Sequence, residues 1–478
     1  MDERTVDVVV IGAGAIGENV AGRAVRGGLS VVLVEAELVG GECSYWACMP
    51  SKALLRPGEA LATVRAVPGA GSAVTGTLDP AQVLAWRDRI ASHWDDAGQV
   101  EWVRSAGIEL LRGQARLTGE RQVDVEPADG TGEGTTVRLQ ARQAVVVATG
   151  SVPTIPPIPG LDPAPYWTSR EATSSPEIPP ELVILGGGVV GTELAQAYRS
   201  LGSEVTLISR GRLLSGHEPF AAQMLHESLT GLGVTVRTDT EVTAVASIAA
   251  DRIRLTLADG SAVDGDRLLI ATGRTPTTHD LGLEAFGITP GDPLTVDDSG
   301  RVVSVAGGWL YAAGDVNGRA PLTHQGKYQA RAIGDVIAAR AAGTVADRVE
   351  PWSAYAMTAD HRSVPQVVFT RPQIASVGLT EARAGEQFSA LRCVDLPIAV
   401  AGSSVHSEDY TGRARLVIDE DRGVIVGATF VGPDVAELLH SATVAIVGEV
   451  PLHRLWHAVP SYPTISEVWL RLLEAYGL

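Results

Sequence analysis

Short runs of β-branched and aliphatic residues alternate with amphipathic stretches along this chain, and glycine-rich turns separate several of them. The run Val6–Ile11 predicts a buried strand, the stretch Glu18–Gly28 a helix, and the run Leu29–Glu35 a second buried strand. Because parallel strands need a crossover between them, this order predicts one βαβ unit.

The same pattern returns far downstream, where the strand runs Leu182–Leu185 and Val205–Ile208 flank a helical stretch, Thr192–Leu201. Each unit is followed by a strand that ends in Ala-Thr-Gly, at Gly150 and at Gly273. Two separate βαβ units predict two dinucleotide sites, to which we also assign these two glycines. Residues 351–478 contain no further glycine fingerprint and alternate β-rich with helical patterns, which predicts an α+β domain. The predicted fold is therefore α/β, with two Rossmann-type domains and an α+β C-terminal domain.

Composition is typical of a globular chain that folds without disulfide support, since hydrophobic residues make up 45% and charged residues 20% of the 478. The formal net charge of −18 repels nucleic-acid phosphate and anionic lipid. No apolar run reaches the ~18 residues that span a bilayer, so we expect neither nucleic acid nor a membrane as a partner. The first residues lack the basic start of a signal peptide, and the predicted location is cytoplasmic.

Residues 12–17, GAGAIG, fit the pattern G-x-G-x-x-G between a predicted strand and a predicted helix. Gly12 makes the tight turn, Gly14 lets the backbone approach a pyrophosphate, and Gly17 lets the helix pack on the strand. Glu35 ends the next strand, where a carboxylate would accept a hydrogen bond from a ribose 2′-hydroxyl. The alternative is a glycine-rich turn without a ligand.

The second turn, GGGVVG, places Gly186, Gly188 and Gly191 at the same three positions. Its next strand ends near Arg210 and Arg212, with no carboxylate. Because two arginines can hold a 2′-phosphate, the pattern favours NADPH over NADH. The alternative is that both arginines are solvated surface charges.

Cys43 and Cys48 lie five positions apart in residues 40–52, GGECSYWACMPSK, at the start of a predicted helix. A pair this close can form a small disulfide ring, and a helix N-terminus favours the reactive thiolate. The alternative is a pair of buried structural cysteines. Cys393 stands alone in an apolar stretch and is predicted to lie in the core. The pattern predicts no metal site.

Together these motifs resemble the pyridine nucleotide-disulfide oxidoreductases, the family of dihydrolipoamide dehydrogenase, glutathione reductase and mercuric reductase. The resemblance extends from Val6 to Glu467. It implies an FAD-dependent enzyme that oxidises NAD(P)H and works as a homodimer. The implied domains are an FAD-binding domain in two parts, 1–152 and 276–350, an NAD(P)-binding domain, 153–275, and a dimerisation domain, 351–478, with a proline-rich linker at Pro153–Pro159.

By the same resemblance, Cys43 is the thiol that attacks the acceptor, and Cys48 is the charge-transfer thiol that contacts the flavin. Lys52 resembles the lysine that pairs with a glutamate near the flavin, and Glu193 stands at the matching place. A buried lysine needs such a partner.

Residues 310–315, LYAAGD, resemble the family's second FAD motif. In this motif Gly314 precedes Asp315, which would accept hydrogen bonds from the ribityl chain. Residues 323–325 follow in the segment that in relatives runs beside the isoalloxazine. Residues 273–276, GRTP, resemble the stretch that returns the chain from the NAD(P) domain.

The C-terminal motif departs from the family. Disulfide-reducing relatives end in HPTxSE, whose histidine shuttles a proton, whereas this chain keeps Glu467 but has Tyr462 in the histidine's place. A phenol, with a pKa of about 10, is a poorer base at neutral pH than an imidazole, with a pKa of about 6.5. Tyr462 can still donate a proton. His457, five residues earlier, is interpreted as a structural or substrate-contacting histidine, and the alternative is that it substitutes for the family's histidine.

The segment between the cysteines departs as well, because Tyr45 and Trp46 stand where relatives carry asparagine and a small aliphatic residue. They would narrow the site or offer a stacking face to a flat acceptor. The alternative is that they pack against the adenine or a neighbouring helix. Residues 474–478 lack the vicinal cysteine pair of mercuric reductase, so we do not expect mercury reduction by that route.

The sequence thus predicts an FAD-dependent oxidoreductase that uses NADPH, or NADH, and the Cys43–Cys48 disulfide to reduce a small-molecule disulfide or thiol-linked acceptor. One alternative is a diaphorase that passes electrons from flavin directly to quinone-like acceptors, which Tyr462 and the aromatic pair favour. The other is a non-catalytic redox sensor or binding protein whose interactions with its partners depend on whether the cysteines are oxidised or reduced.

Overall fold

The computed structural model describes residues 2–127, 135–162 and 164–478. The chain divides into two units, each assembled from separate segments. The first unit contains residues 1–50, 88–153 and 274–360, and the second contains residues 51–87, 154–273 and 361–478. The division into four domain segments that the sequence predicts remains a prediction.

The first unit is built on a sheet whose centre is the strand Asp2–Ile11, in which Val8, Val9 and Val10 are fully buried. This strand pairs in parallel with its neighbours on both sides. Aliphatic, β-branched runs of this kind suit strands that helices cover on both faces. The strands of this sheet, in spatial order, are Glu109–Arg112, Val31–Glu35, Asp2–Ile11, Val137–Val147, Gln122–Glu126 and Gln114–Gly119, with Leu310–Ala312 also beside Val137–Val147.

Two helices of this unit, Ala15–Arg26 and Thr323–Ala341, pack on the same face of the sheet. Gly334 lets them approach closely, since a Cβ there would lie 2.5 Å from that of Arg23 and 2.9 Å from the carbonyl oxygen of Val20. The remaining short elements of this unit are the helices Gly41–Tyr45 and Ala97–Ser105, the 3-10 turns Ser92–Trp94, Leu283–Phe286 and Gly314–Asn317, and the paired strands Ser151–Pro153 and Arg274–Pro276.

Some helical elements contain residues that are assigned to both units. They are the helices Cys48–Arg65 and Pro80–Ile90 and the 3-10 turn Thr358–His361. The sequence predicts a helix that starts at the cysteine pair, whereas the structure has two helices there, Gly41–Tyr45 and Cys48–Arg65. The break falls at Trp46, whose φ of −134° is outside the helical range.

The second unit contains the second βαβ unit, in which Glu181–Leu185 pairs in parallel with Glu204–Ile208 and with Arg267–Ile270. The short strands Thr235–Arg237 and Tyr166–Trp167 complete that sheet, and an antiparallel sheet of Val242–Ala249, Arg252–Leu257 and Ala262–Gly265 belongs to the same unit. Its helices are Ser169–Ser174, Val189–Ser200 and Pro219–Gly231.

The C-terminal part of the second unit is an antiparallel sheet with helices, and Phe430, which is fully buried, lies in its core. In spatial order its strands are Pro365–Val368, Gln373–Gly378, Val424–Gly432, Arg413–Asp419 and Leu391–Pro397. Its helical elements are Glu381–Gly385, Ala401–His406, Leu439–Val447, Leu452–Leu455 and Val468–Tyr476, with 3-10 turns at Val435–Leu438 and Ile465–Glu467. The predicted α/β class, with two Rossmann-type units and an α+β C-terminal part, is confirmed. Across the described ranges, no helix is both long and apolar enough to cross a membrane.

Candidate functional site

The first glycine turn is fixed by contacts that leave no room for side chains. Gly12 has a φ of +99°, and a Cβ there would lie 2.6 Å from the carbonyl oxygen of Ala148. A Cβ on Gly17 would lie 1.8 Å from the carbonyl oxygen of Gly12. Contacts this short exclude any side chain, so the helix Ala15–Arg26 begins directly against the strand.

The N-terminus of this helix is open to an anionic ligand. Its N-cap is Gly14, which has no side chain to accept a hydrogen bond from the first turn. Glu35 lies beside the turn, and its Oε2 accepts a hydrogen bond of 2.6 Å from the backbone N–H of Ala13. Burial raises the pKa of the Glu35 carboxyl. This glycine cradle fits the pyrophosphate of a dinucleotide.

The second turn repeats this geometry. Gly186 has a φ of +128°, and a Cβ there would lie 2.1 Å from the carbonyl oxygen of Ala271. A Cβ on Gly191 would lie 1.9 Å from the carbonyl oxygen of Gly186. Gly188 caps the helix Val189–Ser200, and the space where its Cβ would be is open. The two Ala-Thr-Gly strands therefore share one role, which is to place an alanine carbonyl against the first glycine of each turn.

Gly150 and Gly273 lie three residues beyond the ends of those strands, with φ values of +71° and +132° that favour glycine. The threonine before each glycine holds the chain that passes beside it. Thr149 donates a hydrogen bond of 2.6 Å to the carbonyl oxygen of Thr277, and Thr272 donates one of 2.9 Å to that of Thr154.

The two arginines predicted to read a 2′-phosphate have different surroundings. Arg212 donates to the carbonyl oxygens of Ser215 and His217, at 2.7 and 2.8 Å, and so closes its own loop. Arg210 follows the strand Glu204–Ile208 and is exposed. Of the two, Arg210 is therefore the better placed to meet a phosphate.

Cys43 lies in the helix Gly41–Tyr45, and Cys48 is the first residue of the helix Cys48–Arg65. Both are thiols in this structure. The Sγ of Cys48 lies 3.3 Å from the Oγ1 of Thr323, which begins the helix Thr323–Ala341. Among the predicted site residues, the structure thus brings together the two cysteines and the segment that follows the second FAD motif.

Ionisation of the Cys43 thiol is disfavoured. A hydrogen bond with Cys48 is the largest influence on Cys43 and raises the pKa of the Cys43 thiol, and burial raises this pKa further. Negative charge on Cys48 also raises this pKa, so the two neighbouring thiols oppose each other's ionisation.

Tyr45 is a packing residue. Tyr45 is 2% exposed, and its hydroxyl donates to the carbonyl oxygen of Val39 at 3.0 Å. The indole N–H of Trp94 donates to the backbone carbonyl oxygen of Tyr45 at 3.1 Å. Burial raises the pKa of Tyr45 to about 12. Trp46 packs edge-on against Tyr45, with ring centroids 5.7 Å apart, and is half-buried. Of the aromatic pair, Trp46 is thus the more exposed residue.

Asp315 begins a chain of polar contacts that sequence reasoning did not find. Ser151 donates to its Oδ2 at 2.6 Å, and Arg274 donates to the hydroxyl of Ser151 at 2.7 Å. Arg274 also lies 3.7 Å from the carboxylate of Glu42, the residue before Cys43. Sequence signals existed for Asp315, in the second FAD motif, and for Arg274, within GRTP. Ser151 had none, because it comes beside Arg274 through the pairing of the strands Ser151–Pro153 and Arg274–Pro276.

Lys52 and Glu193 form the ion pair that the resemblance predicts. The Nζ of Lys52 donates to the Oε2 of Glu193 at 2.6 Å, and the backbone N–H of Phe369 donates to its Oε1 at 2.9 Å. Glu193 is 3% exposed, so both of its oxygens are satisfied within the protein. The Lys52 ammonium also lies 5.1 Å from the centre of the Phe369 ring.

Tyr462 and Glu467, at the position of the family's histidine–glutamate pair, belong to the second unit. Tyr462 is 77% exposed. Glu467 is buried and accepts a hydrogen bond of 3.2 Å from Arg471. His457 is exposed. Within the ranges that the structure describes, no group of three or more His, Cys, Asp or Glu side chains has the arrangement of a metal site.

The chain matches two family descriptions. Residues 6–343 match "Pyridine nucleotide-disulphide oxidoreductase", and residues 364–472 match the dimerisation domain of that family. The chain is 33% identical over 482 residues to a dihydrolipoyl dehydrogenase from Thermus scotoductus, covering 99% of this chain and 97% of that one. It is 34% identical over 472 residues to a mercuric reductase from Shigella flexneri, covering 96% and 79% of the two chains.

Among solved structures, LpdA from Mycobacterium tuberculosis superposes with a TM-score of 0.82 and 25% identity, over 99% of this chain and 100% of that one. This chain belongs to the pyridine nucleotide-disulfide oxidoreductase family. It is therefore a flavoprotein oxidoreductase that uses FAD and a pyridine nucleotide, and its dimerisation domain supports a homodimer.

We expect Lys52→Met to lower the stability of the protein by about 2–3 kcal/mol, because the buried Glu193 carboxylate would lose its counter-charge. The double variant Lys52→Met/Glu193→Gln should recover most of that loss, since the glutamine oxygen can still accept from Phe369. Urea unfolding of the wild type and of both variants measures the difference. Equal stability of the single and double variants would contradict the assignment of the loss to an unpaired charge.

Proposed function

We propose that this protein is an NADPH-dependent disulfide reductase in which Cys43 and Cys48 cycle between disulfide and dithiol. The observation that carries the proposal is the arrangement of the two cysteines. Their thiols are hydrogen bonded to each other, and Cys48 lies 3.3 Å from Thr323 in the segment that resembles the flavin-facing segment of relatives.

When bound, FAD supplies two-electron transfer between the nicotinamide and the cysteine pair. The chain's own residues bind and orient it. The open first turn of the helix Ala15–Arg26 receives the pyrophosphate, Glu35 the adenosine ribose, and Asp315 the ribityl hydroxyls. Lys52, which pairs with Glu193, corresponds in sequence to the family's flavin-proximal lysine.

The cysteines then divide the work. In the reduced pair we assign the negative charge to Cys48 and the proton to Cys43, since negative charge on Cys48 raises the pKa of Cys43. Loss of that proton makes the Cys43 sulfur the nucleophile for an acceptor disulfide. Its attack forms a mixed disulfide, which Cys48 resolves by forming Cys43–Cys48 and releasing the acceptor as two thiols.

Protonation of the leaving thiol is proposed to come from Tyr462 of the other subunit of a homodimer. Tyr462 is exposed in the single chain, as a residue that completes a partner's site must be. A phenol donates a proton readily but is a weak base at neutral pH. We therefore propose acceptors for which protonation of the leaving thiol limits the reaction, rather than removal of the proton from Cys43.

A second candidate function is direct transfer of electrons from flavin to a quinone-like acceptor. The observation that favours it is the pair formed by Glu467 and Arg471, because this contact engages the carboxylate that in relatives orients the catalytic histidine. Half-buried Trp46 offers a stacking face to such an acceptor.

We expect Cys43→Ser to reduce turnover of a small aromatic disulfide with NADPH by more than about 100-fold, since the nucleophile is lost. Turnover of a benzoquinone should change by less than about threefold, since that route does not need the thiol. Steady-state rates with both acceptors measure the split, and Cys393→Ser is the matched control. If the Cys43→Ser enzyme kept its disulfide turnover, the cysteine route would be wrong.

We expect Arg210→Gln to lower the ratio of kcat/KM for NADPH to that for NADH by about tenfold, because a charged hydrogen bond to the 2′-phosphate contributes about 1.5–3 kcal/mol. Arg254→Gln, which removes an exposed arginine paired with Asp264 on the antiparallel sheet, is the control and should leave the ratio unchanged. An unchanged ratio in Arg210→Gln would remove this residue from nucleotide selection.

A further inference from the structure

Lysine is almost absent from this chain. Only two of its 38 Lys and Arg residues are lysines, Lys52 and Lys327. Lys52 belongs to the ion pair with Glu193 described above. An ammonium is a compact point charge that can titrate, whereas a guanidinium is permanently charged and spread over a planar fork. Lys327 is therefore the other side chain of the protein that carries such a compact, titratable positive charge.

Lys327 faces the redox cysteines. It lies four residues after Thr323 on the helix Thr323–Ala341, and side chains at this spacing share one helix face. The hydroxyl of Thr323 lies 3.3 Å from the Sγ of Cys48. Lys327 is half-buried, and its positive charge acts directly on the Cys43 thiol.

A second charged group near Lys327 is Glu18, on the helix Ala15–Arg26. Glu18 lies four residues after Gly14, whose Cβ position would be 3.9 Å from Gly41, in the helix that carries Cys43. Glu18 is 8% exposed, and its Oε1 is buried without a hydrogen-bond partner among the described residues. Lys327 is the cation that acts on it.

The other ionisable groups that face Glu18 come from two further elements. Glu35 at the end of the strand Val31–Glu35 adds negative charge, and the buried phenol of Tyr45 lies on the side of the cysteine helix. Burial, the largest influence, raises the pKa of Glu18 to about 7, while Lys327 lowers it. Glu18 therefore changes charge near neutral pH.

We propose that Lys327 and Glu18 form a charge pair beside the cysteines, in which Lys327 stabilises the Cys43 thiolate and the charge of Glu18 regulates that stabilisation. Both act as positioning residues through the field at Cys43. The proposal rests on the proposed function, since it assigns these charges to the thiol that attacks the acceptor. It identifies a source of thiolate stabilisation in a chain that has Tyr462 in place of a catalytic histidine.

The sign of the effect follows from the charges. Below about pH 7 Glu18 is protonated and neutral, so Lys327 acts on Cys43 without compensation and lowers the pKa of the thiol. As the pH rises through about 7, Glu18 ionises and partly cancels Lys327. Thiolate formation at Cys43 therefore spreads over a wider pH range than the titration of an isolated thiol.

The test is the pH dependence of alkylation of Cys43 by iodoacetamide in the FAD-loaded, dithiothreitol-reduced protein, with the modified cysteine identified by mass spectrometry. Lys327→Met should slow alkylation at pH 7 by about 3- to 10-fold, which corresponds to a rise of about half to one unit in the pKa of the thiol. Lys327→Arg should restore most of the rate, because it keeps the positive charge.

Glu18→Gln should act in the opposite direction and speed alkylation at pH 8 by about threefold, with a steeper pH profile. Because glutamine has nearly the same shape, this variant decides the sign even if Lys327→Met fails to fold. Arg26→Met, an exposed charge on the helix of Glu18, is the control and should match the wild type.

Profiles for Lys327→Met and Glu18→Gln that both coincide with the wild type would overturn the charge pair, as would slower alkylation in Glu18→Gln. Neither result bears on whether the cysteines turn over. Conversely, if the Cys43→Ser enzyme kept its disulfide turnover, the disulfide reductase proposal would be wrong, but the alkylation profiles would be unchanged. The two proposals can therefore fail separately.

Discussion

The buried carboxylate of Glu193 is the constraint on which the arrangement of the second unit depends. One oxygen binds Lys52, in the helix that Cys48 begins, and the other binds the backbone of Phe369, at the start of the C-terminal antiparallel sheet. A carboxylate that is 3% exposed must find its partners inside the protein or lose its charge. Glu193 thus joins three segments that are far apart in the sequence.

The parts of the fold that can be predicted from the sequence are those where steric contacts of the backbone allow only one residue type and one conformation. Gly12 and Gly186 each need a positive φ and have a carbonyl oxygen where a Cβ would be. Because the same contact is made by Ala148 and by Ala271, the repeated Ala-Thr-Gly could be recognised as part of each turn. The β-branched runs around these turns predicted the strands to within a few residues, since buried parallel strands must be apolar on both faces.

The parts that could not be predicted are contacts made by single polar side chains across long stretches of sequence. Ser151 meets Arg274 only because two short strands pair, and Lys327 acts on Glu18 only because their two helices pack. The break at Trp46 also escaped prediction, because no proline or glycine marks it. Tyr45 was recognisable as unusual, but whether it packs or faces an acceptor depended on Val39 and Trp94, which lie outside the motif.

In the proposed reaction, electrons pass through Cys43 and Cys48. The decisive measurement is an anaerobic titration of the oxidised, FAD-loaded wild-type protein with NADPH, followed by the flavin absorption spectrum. We expect a long-wavelength band from a thiolate beside the flavin to develop over the first two electrons per subunit, with the main flavin absorption lost only beyond them. Loss of the flavin absorption within the first two electrons, without that band, would show that the cysteines are bypassed and that the proposed route is wrong.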